Sequence, residues 1–356
     1  MSIYTCFIGG DRIGWALDME LKLTRQSFSQ DIQISNFFQN DVLHVIHWSS
    51  LINFPREFLA GRRILSHLTH APEAAFTQPG FERAEKLIQL WVVRSAQARR
   101  AFNARGLRNV LIPYAYDPSV FFPIPKDDPR LQSLRAQWNI PSDAFLVGSF
   151  QRDTEGSDLK SPKLVKGPDI FLECVSLLKD RLPNLHVVLA GPRRFWLRRK
   201  LEERDIPYTF IGKDVTGDDV KINIVSHEII NLLYNLIDIY LVTSRMEGGP
   251  QAVLEACAAN CKILSTAVGH AEDFLHPNCI FHSPQDIVDK IFGDDRLART
   301  ISHNAQAVER ATPNALRPLW DDAYRLLMSL PMISAEEIKF QPCAWQVVLK
   351  RLAGHQ

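Results

Sequence analysis

The sequence predicts an α/β protein of two domains, each built on a parallel sheet covered by helices, the two facing one another across a cleft. Three observations predict it. At 356 residues the chain exceeds what one hydrophobic core usually supports. From Ala144 onward, short β-rich runs alternate with segments of helical period. The same alternation, less regular, runs through the first third.

In that first third, residues 3–10 ("IYTCFIGG"), 42–48, 62–70, 90–95 and 109–114 read as strands, with helices over 16–28 and 96–106. The proline-rich, polar stretch 118–142 reads as a connection. Beyond it, strand 145–150 ("FLVGSF") precedes helix 168–182, where Ile170, Phe171, Cys174, Leu177 and Leu178 keep helical spacing. Strand 185–191, helix 195–204, strand 208–212, helix 228–236 and strand 237–244 follow, then a helix after Pro250 and strand 262–268. This is the order of a doubly wound sheet, so both halves are expected to be Rossmann-like. The expected domains are 1–125, a linker 126–142, and 143–330. A last amphipathic helix within 331–356 is expected to return to the N-terminal domain.

Composition narrows the function. Lys plus Arg is 41 against 40 for Asp plus Glu, a balance that offers nucleic acid no electrostatic footing. The six cysteines include no CxxC pair, which argues against structural zinc and a disulfide scaffold and suits a cytoplasmic protein. No leader-like pattern opens the chain, and no run of about 18 apolar residues occurs. Any membrane contact is expected to be peripheral.

Ligands in open α/β sheets bind beyond the C-terminal ends of strands, where helices begin. "SRMEGGPQAVLEACAAN" (244–260) sits at such a place. Pro250 suits the first helical position, Gly248 and Gly249 leave the approach open, and the amides of Gln251 and Ala252 face outward at the positive end of the helix. Glu247 falls in the loop and Glu255 on the helix, where a carboxylate can accept hydrogen bonds from ribose hydroxyls. Taken alone, the two glutamates fit a surface position and a helix-exterior position equally well. Gly9 and Gly10 close the first strand, as a tight turn or a close backbone approach requires.

The 244–260 stretch resembles the E-x7-E signature of retaining GT-B glycosyltransferases of family 4, the group 1 type. "LLYNLIDIYLVTS" (232–244), "CAANCKILSTAVGHAEDFL" (257–275), "DVLHVIHW" (41–48), "SHLTH" and "VVRSAQARRAFNARGLRNVLIPYAYDPSVFFP" (92–123) are similar to that family in the same order. The resemblance implies that Arg152 and Lys166 hold the donor's diphosphate, where fixed cations stabilise a leaving group that gains charge. It implies that Glu247 contacts the donor sugar, Glu255 the ribose, and His70 the transferred sugar, with the loop at Gly9 and Gly10 passing under the diphosphate. His44, His47 and His67 lie in strand-like runs and read as core or sheet histidines. The sequence departs from many relatives in having Gly248 where Phe is common, and in its long 151–167 loop.

The implied activity is transfer of a hexose from an NDP-sugar, UDP- or GDP-linked, to a glycan or lipid-linked acceptor, with retention, in cell-surface polysaccharide synthesis. Neither a D-x-D triplet nor H-x-x-x-H spacing occurs, so no metal or other cofactor is expected. "RRFWLRRK" (193–200) reads either as a solvated helix face or as a basic, aromatic surface for anionic lipid. The same fold also hosts epimerases and phosphorylases. A short N-terminal domain is also compatible with a partner subunit, or with a non-catalytic sugar-nucleotide-binding scaffold.

Overall fold

In the computed structural model, which describes residues 2–9, 16–52, 59–293 and 296–334, the chain begins with β1 (Ile3–Ile8), α1 (Ala16–Gln26), β2 (Ile32–Ile34), β3 (Val42–Val45) and β4 (Arg63–His67). Then come α2 (Pro72–Phe76), α3 (Phe81–Leu87), β5 (Leu90–Val93), α4 (Ala96–Ala104) and β6 (Asn109–Leu111). The six strands form one parallel sheet in the order β2-β1-β3-β4-β5-β6. Its order reverses between β1 and β3, so this sheet follows the flavodoxin-like scheme.

Successive residues of a strand face opposite sides of the sheet, and here both sides are buried. Leu43 and Val45 of β3, Ile64 of β4, and Trp91 and Val93 of β5 join one apolar cluster. Their neighbours Val42, Leu65, Leu90 and Val92 join another. The second cluster is closed by α13 (Pro313–Met328), through Leu316, Trp320, Ala323, Tyr324 and Leu327. Among the described residues the chain divides into two units, one of residues up to Ala115 together with those from Ala311, the other Tyr116–Arg310.

These boundaries differ from the expected ones. The segment 313–328, expected in the C-terminal domain, packs on the N-terminal sheet, because that sheet's second face needs cover. The carbonyl of Leu330 accepts from Arg63, and Ile333 exchanges backbone hydrogen bonds with Gly61 and Arg62. The expected last helix lies outside the described residues from 335 onward. At the other boundary, the expected linker contains a helix, α5 (Pro129–Gln137), whose Asp128 accepts from the Arg130 amide at 2.8 Å. Asp and Pro mark helix starts as well as linkers.

The C-terminal unit holds β7 (Phe145–Ser149), β8 (Thr154–Glu155), β9 (Ser161–Pro162), α6 (Pro168–Lys179), β10 (Leu185–Ala190), α7 (Phe195–Glu202) and β11 (Tyr208–Ile211). After these come α8 (His227–Leu236), β12 (Ile239–Val242), α9 (Gln251–Ala258), β13 (Ile263–Ser265), α10 (Ala271–Phe274), α11 (Pro284–Phe292) and α12 (Arg296–Glu309). The main sheet is parallel, in the order β11-β10-β7-β12-β13. Relabelled by position in this unit the order is 3-2-1-4-5, the Rossmann arrangement, with its switch point between β7 and β12. No helix among the described residues is long and apolar enough to cross a membrane.

Under α13 the N-terminal sheet buries a polar network. His44 Nδ1 lies 2.8 Å from the Tyr324 hydroxyl, which donates to Thr5 Oγ1 at 2.9 Å. His44 Nε2 meets His67 Nε2 at 2.5 Å, and His67 in turn contacts Glu20 and Arg94, which pair with each other. Burial, reinforced by Arg94 and, for His44, by His67, holds both histidines well below their ordinary pKa. They therefore stay neutral in the folded chain while the unfolded chain takes up protons near pH 6.5, so stability is lost as pH falls through that value. Glu20, whose pKa burial raises despite Arg94, works in the opposite direction. Urea unfolding is expected to show about 2 kcal/mol less stability at pH 5.5 than at pH 7. An unchanged midpoint would mean that the folded chain protonates these histidines freely.

Candidate functional site

The switch point of the C-terminal sheet is built by a close backbone approach. Gly167, at φ +61°, precedes α6, and a Cβ there would lie 1.9 Å from the Thr243 carbonyl oxygen. Only glycine lets the start of α6 come this near the end of β12. The Thr243 hydroxyl donates to the Gly167 carbonyl at 2.9 Å, and the Arg245 amide donates to Val165 at 2.9 Å. Arg245 also forks onto Asp169 at 2.7 and 2.6 Å. Lys166, the last residue of a short 3-10 turn, is thereby held against the loop that follows β12.

Lys166 Nζ donates to Glu247 Oε1 at 2.6 Å, and Ser244 Oγ donates to the same oxygen at 2.7 Å. Gln151, just after β7, completes the set: its Nε2 donates to the Lys166 carbonyl at 3.0 Å, and its Oε1 accepts from Ser244 at 3.3 Å. The carboxylate of Glu247 is thus fixed through one oxygen, while Oε2 has no hydrogen-bond partner among the described residues. Arg152 is the next residue along. Burial and then Arg193 lower its pKa, and Asp218 opposes them.

Helix α9 begins at Gln251, with Pro250 one position earlier than expected, at the N-cap. No side chain caps it, and Val253 donates back to Pro250, leaving the amides of Gln251 and Ala252 without acceptors inside the helix. The Pro250 carbonyl also accepts from the buried His270 at 3.0 Å. Neither Gly248 nor Gly249 takes a left-handed φ. At Gly269, φ +54°, a Cβ would meet the Gly249 backbone at 3.0 Å, so glycine at 269 lets that loop come close to the turn before α9. Glu255 lies in the second turn, accepting from the Tyr234 hydroxyl at 3.2 Å. Burial pushes its pKa up to about 7, the tyrosine hydrogen bond opposing.

The long loop after β7 is a hairpin, with Thr154 paired to Pro162 and Glu155 to Ser161. The basic stretch 193–200 braces it and its surroundings. Arg194 pairs with the buried Asp153 at 3.2 Å, and Arg199 donates to the carbonyls of Leu159 and Lys160 at 3.2 and 2.9 Å. Arg193 pairs with Asp218 at 2.5 Å, Arg198 with Asp214, and Lys200 with Glu203 at 2.5 Å. All five cations of this stretch have partners within the unit.

In the N-terminal unit the corresponding strand ends bring together Gly9, His47 and His70. Gly9, at φ +106°, packs where a Cβ would meet Ser50 Oγ at 3.1 Å and the His47 amide at 3.4 Å. His47 and His70 stand edge to face, ring centroids 5.2 Å apart. His47 accepts from Ser49 Oγ at 2.8 Å, and burial followed by His70 lowers its pKa to about 4. His70 is exposed and hydrogen-bonds Thr69 at 3.0 Å; it lies beyond β4, which ends at His67. Gly10 lies outside the described residues.

These two parallel α/β units are those of the GT-B glycosyltransferase fold. The chain aligns with Anabaena Alr3699/HepE in complex with UDP-glucose at a TM-score of 0.68 and 16% identity, covering 92% of this chain and 100% of that one. It aligns with a glycosyltransferase from Rickettsia africae at 0.65 and 13%, covering 92% and 99%. For sucrose-phosphate synthase from Thermosynechococcus elongatus the values are 0.61 and 18%, covering 82% and 74%. Residues 160–292 match the family described as "Glycosyl transferases group 1". No curated protein sequence matches the chain.

The sequence alone does not single out Ser244, Gln151 or Tyr234. Gly167-Pro168 was legible as a helix start, but the contact with Thr243 joins residues 76 apart. Gly167→Ala is expected to cost about 2–3 kcal/mol or more, from the clash and the left-handed φ together. Gly217, at φ +100° with open space around its Cβ position, carries the conformational cost alone, and Gly217→Ala should cost about 1 kcal/mol. Chemical denaturation of the two variants checks this, and equal losses would contradict the role given to the Gly167 contact.

Proposed function

We propose that the chain transfers a hexose from a nucleoside diphosphate sugar to a glycan or lipid-linked acceptor with retention of configuration. The observation that carries this reading is the Lys166–Glu247 pair at the switch point of the C-terminal sheet, beside the uncapped start of α9. Cations and helix amides there suit a diphosphate, and an oriented carboxylate beside them suits sugar hydroxyls. Arg152, Lys166 and the amides of Gln251 and Ala252 stabilise the departing diphosphate. Glu247 orients the sugar and Glu255 accepts from the ribose. Gly9 and His70 belong to the sugar- and acceptor-side surface of the N-terminal unit.

In the proposed step the bond from the sugar's anomeric carbon to the diphosphate oxygen breaks, its electron pair going to the diphosphate. The acceptor oxygen bonds to that carbon on the same face, and its proton passes to the diphosphate. Catalysis is then preorganised electrostatics and positioning. The HepE complexes make UDP-glucose the first donor to try, with GDP-sugars next. The setting we propose is cell-surface polysaccharide synthesis in a bacterial cytoplasm, with the membrane approached peripherally.

Thermal-shift and calorimetric screening of UDP-, GDP-, ADP- and TDP-sugars against the wild type and Glu255→Ala tests the reading. One nucleotide should stabilise the wild type, and the variant should lose the response. Binding to none favours a scaffold role, and turnover without an added acceptor favours an epimerase or phosphorylase.

Lys166→Ala should lower turnover about 10²–10³-fold while changing stability by no more than about 1 kcal/mol, as for a partly exposed ion pair. Comparable loss of both would remove Lys166 from the mechanism.

With the Glu255 pKa near 7, only the ionised form accepts two ribose hydroxyls, so donor affinity should fall about tenfold from pH 8 to pH 6. Titration calorimetry with the preferred nucleotide-sugar, on the wild type and on Glu255→Gln, measures it. A wild type as insensitive to pH as the variant would dissociate Glu255 from the ribose.

A further inference from the structure

The hairpin between β7 and α6 brings one more cation to the switch point. The Lys163 amide donates to the Asp153 carbonyl at 2.7 Å, and the Lys163 carbonyl accepts from the Lys166 amide at 2.8 Å. Asp153 is itself fixed by Arg194 and by the Trp196 amide at 3.1 Å, and Arg199 grips the hairpin's tip. Lys163 is therefore held by a braced element, next to the residue after Arg152 and one turn before Lys166.

Its side chain is half-buried and, among the described residues, makes neither an ion pair nor a hydrogen bond. Burial lowers its pKa first, then Arg152 and Lys166, with Glu155 and Glu247 opposing. The neighbouring cations are matched: Lys166 by Glu247, Arg193 by Asp218, Arg194 by Asp153. A half-buried ammonium among like charges is unfavourable unless an anion joins it. The 2.6 Å bond to Glu247 also commits much of the charge of Lys166.

We propose that Lys163 is a third diphosphate-binding cation, delivered by the inserted hairpin, and that it supplies the charge which Lys166 spends on orienting Glu247. The inference rests on the nucleotide-sugar reading given above. Lys166 then acts in two directions, on the phosphate and on the carboxylate, whereas Lys163 serves the phosphate alone.

Titration calorimetry of UDP, GDP and inorganic pyrophosphate, each at low and high salt, tests it on the wild type, Lys163→Ala, Lys163→Arg and Lys160→Ala. Lys160 is an exposed lysine of the same hairpin. Lys163→Ala should bind the diphosphate at least about tenfold more weakly and with less salt dependence. Lys163→Arg should recover most of the affinity, and Lys160→Ala should match the wild type. The matching nucleoside, uridine or guanosine, should bind all four alike.

If Lys163→Ala binds the diphosphate as tightly as the wild type with the same salt dependence, the inference fails and the donor reading stands. If it loses the nucleoside equally, Lys163 supports structure, and the inference fails again. A wild type that binds neither nucleotide nor pyrophosphate overturns the donor reading itself, and the inference with it.

Discussion

A parallel sheet must be covered on both faces, and that requirement orders most of this chain. In the N-terminal unit one face is closed by local helices and by Trp48, Phe81 and Phe102. The other is closed by α13, which arrives more than two hundred residues later in sequence. The strands are short, four residues for β3 and β5, and could not hold the sheet by hydrogen bonds alone. Covering the second face also encloses His44, His67, Glu20 and Arg94, which satisfy one another because water no longer reaches them.

The C-terminal unit adds a second constraint at its switch point. There the strand order reverses, so the chain ends after β7 and β12 stand side by side with no crossover between them. Gly167 and Thr243 seal the base of that gap, and Lys166, Gln151, Ser244 and Glu247 line it. Charge follows from the same geometry. Lys166 and Ser244 both donate to one oxygen of Glu247 and so fix the direction of its carboxylate, beside the uncapped start of α9.

Much of this was legible in the residues. The alternation of β-rich and helical runs located the longer strands and helices of both sheets to within a few positions, because burial on both faces forces apolar continuity. The 244–260 stretch showed its helix start and its two glutamates. Less legible were β2, α5 and the 154–162 hairpin. They are short, polar or proline-marked, and the hairpin is held by Arg199 and, through Asp153, by Arg194, the Arg199 contact spanning 40 positions. The basic stretch 193–200 could be read either as a solvated face or as a lipid-binding surface, because a charge pattern does not reveal which carboxylates and carbonyls will meet it.

The sequence by itself determined the class of fold, the succession of strands and helices, and the residue types available for an anion-binding site. Those depend on local period and local chemistry, which a chain carries residue by residue. Only the tertiary structure decided that α13 belongs to the N-terminal sheet, that Lys166 meets Glu247 across 81 positions, and that the inserted loop is a braced hairpin holding Lys163 beside Lys166. Such pairings are set by strand order and by which buried surfaces need cover, and neither is a property of any short stretch of residues.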